Sequence, residues 1–151
     1  MILTQITEEP ILPQSALDQV ASPQCGAALL FLGVVRDHHG GREVVGLEYE
    51  AYREMAEGVL GVIGREAAER FGIGDLAVIH RVGRLQVGDV SLAIAVASPH
   101  RAEAYEASRF VIESVKTRLP VWKKEHYGDG TPEWVPGTDP SKTDGGAGGG
   151  P

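Results

Sequence analysis

Residues 98–127 read SPHRAEAYEASRFVIESVKTRLPVWKKEHY, and this stretch decides the fold class. Ser98-Pro99 is a helix-start signal, a serine N-cap followed by a proline at the first helical position. Ala104, Ser108, Val111, Ile112, Val115 and Leu119 then fall on one apolar stripe, which predicts a helix over 99–119. Pro120 ends it, because the residue before a proline is pushed out of the helical region. Residues 121–127 should be extended, with Val121, Lys123 and Glu125 on one face and Trp122, Lys124 and His126 on the other. A long amphipathic helix that runs into a half-buried strand belongs to a mixed domain.

Upstream, helices and strands continue to alternate. Met55, Val59, Val62, Ile63 and Ala67 predict a second long helix over 53–71, ended by Gly72 and Gly74. Residues 26–36, GAALLFLGVVR, read as a buried strand. After the Gly40-Gly41 turn, residues 44–52 alternate with Val45, Leu47, Tyr49 and Ala51 on one face, as a hairpin partner of that strand. Residues 2–7, 75–82 and 89–97 read as further strands, the last two joined around Gly83 and Gly88, and 14–21 as a short helix. The expected fold is α+β, a mainly antiparallel sheet with two principal helices.

The chain has 151 residues, the size of one domain, and a net charge of −7. No apolar run approaches a membrane span. The start, MILTQITEEP, lacks the basic and apolar regions of a secretory leader, so the expected location is cytoplasmic, with no membrane partner. Cys25 is the single cysteine, which excludes an internal disulfide and a cysteine-cluster zinc site. It reads as a small core residue, and His80 as a structural histidine. Residues 136–151, PGTDPSKTDGGAGGGP, read as a disordered tail behind a domain of residues 1–135.

The acidic balance argues against a nucleic-acid partner, yet it hides a local excess. Three of the four lysines fall within 116–124, a stretch that carries +4. Alternation lets only one of Lys123 and Lys124 share a site with Lys116. A solvated basic face is the plain alternative. His100 and Arg101 add cations to a helix start that is already positive, a conflict an anionic ligand resolves. Arg36 ends an apolar strand beside a turn, a common place for site residues. Asp37, His38 and His39 diverge along an extended backbone, so no metal site is expected.

Phe31–Arg36, Leu47–Glu50, Val78–Gly83, Ser98–Arg101 and Lys116–Glu125 occur in order. Together they resemble the large, catalytic subunits of molybdopterin synthase, the MoaE family, over roughly residues 2–135. The resemblance implies an α/β hammerhead-type domain that forms a homodimer and binds two small ubiquitin-like subunits, giving a heterotetramer. It implies a C-terminal Gly-Gly thiocarboxylate on the small subunit as sulfur donor, cyclic pyranopterin monophosphate as substrate, and no metal or organic cofactor. Sulfur transfer to the substrate would form the molybdopterin dithiolene. The resemblance selects Lys123 over Lys124 and makes Lys116 and Lys123 the catalytic pair. Lys116 would act by proton transfer or as a transient adduct, and Arg36, His100 and Arg101 would bind anions. The family's arginine beyond the tryptophan matched by Trp134 has no counterpart here. A non-catalytic module that docks a ubiquitin-like tail is the alternative reading.

Overall fold

The computed structural model describes residues 1–135, and the tail expected over 136–151 lies outside them. Twelve elements follow in order: β1 (Ile2–Thr7), α1 (Pro13–Asp18), β2 (Ala27–Val34), β3 (His38–His39), β4 (Arg42–Ala51) and α2 (Arg53–Phe71). Then come β5 (Asp75–Arg81), β6 (Gly83–Gln86), β7 (Val90–Ser98), α3 (Arg101–Arg118), β8 (Val121–Tyr127) and β9 (Pro132–Val135).

They build two sheets. The first has the order β1-β5-β7-β2, and only its β1–β5 pair is parallel. The second has the order β3-β4-β8-β9, with β6 also paired to β4. The α+β class with two long helices therefore holds.

Side-chain alternation on β7 explains the layers. Leu92, Ile94 and Val96 face a core shared with Leu60 and Ile63 of α2 and Val111 and Val115 of α3. Ala93, Ala95 and Ala97 face the other way, and their small side chains let α1 pack close through Ala16, beside Val20. Cys25 packs against this second cluster, half-buried, as a small apolar residue would. Gly72 ends α2 in the left-handed conformation, at φ 61°, that glycine tolerates best.

Several expectations are corrected. The strand at 42–51 is not the hairpin partner of β2: β2 pairs with β7, and β4 pairs with β3, β6 and β8. Periodicity defines strand faces but carries no information about distant partners. Val45 is half exposed and Val44 buried instead, because the β4–β8 register shifts between Val44 and Gly46. Met55 and Val62 are exposed, and Ala56, Leu60, Ile63, Gly64 and Ala67 form the buried stripe of α2. Ser98 ends β7, and His100 is the N-cap of α3, without a side-chain cap. The turn between Gly83 and Gly88 contains β6, and β9 was not anticipated.

Candidate functional site

Arg36 is placed by a bulge. The β2–β7 register shifts between Gly33 and Val34, where a Cβ on Gly33 would come within 3.3 Å of Ser91 Oγ. Beyond the bulge Val35 stays pinned: its N–H donates to Asp89 O at 3.0 Å, and its carbonyl accepts from Gly88 N at 2.9 Å. Val35 is buried, so the next side chain, Arg36, points outward. The chain then enters the β3–β4 hairpin, closed by Val44 N–H on Asp37 O at 2.8 Å.

Lys116 lies in the last turn of α3 and Lys123 on β8. The Leu119-Pro120 bend turns the chain from one to the other. Lys123 is the register partner of Tyr49 on β4, and its Nζ is 3.9 Å from Glu125 Oε1. Both lysines are half-buried. Arg36, Lys123 and Glu125 line one open cleft, with Tyr49, Ser91 and His39 among its walls.

The electrostatics follow from this crowding. Burial lowers the Lys116 pKa from 10.5 to about 8, helped by the charges of Lys123 and Arg36. Burial also lowers that of Lys123, where Glu125 works in the opposite direction and Arg36 adds to the fall. Burial is thus the larger cause at Lys116, ahead of the neighbouring cations.

Two neighbours are fixed in neutral form. His80 is buried, its Nδ1 2.8 Å from Arg81 O, and its ring meets Tyr49 edge-on at 5.1 Å. A carbonyl only accepts, so Nδ1 carries the proton. Burial pulls the His80 pKa down to about 4, with a further push from Lys116, so the ring is uncharged at neutral pH. Burial raises the Tyr49 hydroxyl to about 12, against a hydrogen bond from Ser91. The structural reading of His80 is supported, and the residue also sits within electrostatic reach of Lys116.

Arg36, Lys116 and Lys123 are thus brought together. His100 and Arg101 are not: both are exposed at the other end of α3. A helix rises 1.5 Å per residue, so Arg101 and Lys116 lie about 22 Å apart along its axis. Lys124 faces away and stacks over Trp134, 5.3 Å from the ring centroid. Sequence reasoning missed the roles of Glu125, Tyr49 and Ser91 in the cleft and weighed His39 only as a metal ligand. Glu125 was legible in principle, since alternation puts it on the Lys123 face. Among the described residues no group of three or more His, Cys, Asp or Glu is arranged to hold a metal ion. No helix among them is long and apolar enough to cross a membrane.

Fold and cleft together define a class: a mixed α+β domain with a cationic cleft and, within electrostatic reach of its Arg36 and Lys123, a lysine whose pKa is lowered to about 8. The MoaE protein family matches residues 6–118. A molybdopterin synthase catalytic subunit of Halalkalibacterium halodurans is 49% identical over 130 residues, covering 86% of this chain and 83% of that one. The crystal structure of molybdopterin synthase from Staphylococcus aureus superposes with a TM-score of 0.81 at 40% identity, covering 85% of this chain and 93% of that one. A complex of subunits 1 and 2 of molybdopterin-converting factor from Helicobacter pylori shares the fold, with a TM-score of 0.72 at 20% identity, covering 88% and 90% of the two chains. The chain belongs to the MoaE family.

Proposed function

We propose that the protein is the catalytic subunit of a molybdopterin synthase, acting in molybdenum cofactor biosynthesis. In this reading it transfers sulfur from the thiocarboxylated C-terminus of a small ubiquitin-like subunit to cyclic pyranopterin monophosphate. The observation that carries the reading is the convergence of Arg36, Lys116 and Lys123, with the Lys116 pKa near 8.

The chemistry needs both features. A cyclic phosphate and a thiocarboxylate are both anions, and bringing them together without screening is costly. Arg36 suits the phosphate, because its planar fork matches two oxygens and it stays charged throughout. Lys123, with Glu125 beside it, favours its charged form more than burial alone would allow and neutralises charge that builds up during transfer. Lys116 has the other task. With a pKa near 8, about a tenth of its amines are neutral at pH 7, far more than for an ordinary lysine. A neutral amine accepts a proton or attacks a carbonyl carbon, and an ammonium does neither.

His100 and Arg101 belong to the proposal as anion-binding residues supplied by a second protomer. The 22 Å length of α3 keeps them from the Lys116 of their own chain, and the homodimer supplies another copy of that helix end. The small subunit completes the assembly as two large and two small chains, an arrangement in keeping with the two-subunit complex of the Helicobacter relative. The expected location is the cytoplasm.

Reconstitution tests the reading. Purified protein, cyclic precursor and a thiocarboxylated small subunit should yield the dithiolene product. Partner binding without product would instead identify a docking module.

A further inference from the structure

Glu125 is the carboxylate in the wall of this cationic cleft, and it is 3% exposed. A buried carboxylate is costly unless donors hold it. Its Oε1 lies 3.9 Å from Lys123 Nζ, beyond hydrogen-bond distance, and 2.9 Å from His39 Nδ1. Glu125 Oε2 is buried with no hydrogen-bond partner, while His39 Nδ1 at Oε1 and the nearby Tyr127 hydroxyl are the groups placed to donate to the carboxylate. For Nδ1 to donate it must carry the proton, which fixes the face the ring presents.

The position of His39 gives the contact its meaning. It lies in the two-residue strand β3, three residues after Arg36, next to the Gly40-Gly41 turn, where both glycines have positive φ. The backbone bonds of this hairpin run to β4, at His38–Glu43 and His39–Arg42. The His39 side chain reaches past β4 to β8, the strand that carries Lys123. Beside the β4–β8 backbone ladder, this side-chain contact joins the segment that follows Arg36 directly to the strand bearing Lys123.

We propose that His39 is a positioning residue, which through Glu125 locks the Arg36 hairpin onto β8 and so sets the gap between Arg36 and Lys123 across which the anionic substrate is held. This rests on the proposed function for its substrate, but not for the tether itself. His39 is at the cleft rim, its side chain 34% exposed, and touches no reacting atom in this role.

Two variants of the full chain test it. His39→Leu removes the donor. His39→Asn keeps an amide N–H at the same distance along the side chain as Nδ1. The tether is read without turnover, by amide hydrogen exchange at Val44, whose N–H closes the hairpin on Asp37. His39→Leu should speed that exchange about tenfold or more, and His39→Asn should restore it. In the reconstituted synthase the Leu variant should raise KM for the cyclic precursor about 5–20-fold while lowering kcat much less, and the Asn variant should recover most of the loss. Unchanged exchange in the Leu variant, or failure of Asn to restore it, overturns the tether. Faster exchange with an unchanged KM overturns its link to substrate binding. If the unsubstituted protein makes no product, the function reading fails, and the exchange data still decide the tether.

Discussion

The charge of Lys123 on β8 helps hold the pKa of Lys116, in the last turn of α3, near 8. A helix end and a proline bend separate the two in the chain, and the bend is what turns them toward one another. Their pairing divides the work: one lysine is poised to exchange a proton while Glu125 holds the other closer to its charged form than burial alone would leave it.

This division predicts the pH dependence of the reaction. If the neutral form of Lys116 does the chemistry, kcat/KM should rise with pH below about 8 and level off above it. Lys116→Arg should be inactive across the range, because a guanidinium does not deprotonate there. A pH–rate profile of both proteins checks this.

The same shift has a stability consequence of definite sign. The folded-state pKa of Lys116 lies below its ordinary 10.5, so folding disfavours the proton. The cost is fully present below about pH 8 and is relieved as pH rises toward 10.5, because the unfolded chain binds more protons in that window. Lys116→Met should therefore raise the urea midpoint at pH 7, and the gain should shrink toward pH 10.

Removing the carboxylate should push Lys123 further in the same direction. Glu125 favours the charged form of Lys123, so Glu125→Gln should lower its pKa further. NMR titration of the labelled lysine amine measures this directly.

Glycines outside the site separate packing from chemistry. A Cβ at Gly74 would meet Cys25 Sγ at 2.7 Å and the Ala97 carbonyl oxygen at 3.1 Å, and a backbone atom has little room to yield. Gly74→Ala should cost about 1–3 kcal/mol. Gly58 in α2 has nothing within 4 Å of its Cβ position, so Gly58→Ala should gain about 0.4–1 kcal/mol. Denaturant unfolding of both variants tests the contrast.

Much of this was legible residue by residue. The bounds of α2, residues 53–71, follow from periodicity and the glycine after it, and Pro120 marks the end of α3. A pairing of Lys116 with one of Lys123 and Lys124 follows from a helix end, a bend and a two-residue alternation, and the family resemblance selects Lys123. Strand partners were not legible, since β2 finds β7 some sixty residues away and local pattern carries no such information. The His39–Glu125 contact stayed hidden for the same reason, as it joins two strands that only the second sheet brings together. The Ser98-Pro99 helix start failed because β7 continues through Ser98, and strand pairing with Ala27 outweighs the capping preference.

The central claim is that Lys116 performs the chemistry of a sulfur-transferring synthase. The most direct test is single-turnover product formation by Lys116→Ala, mixed with cyclic precursor and thiocarboxylated small subunit. The account predicts no dithiolene product, with dimer and small-subunit binding intact. Product formed at the unsubstituted rate would contradict it.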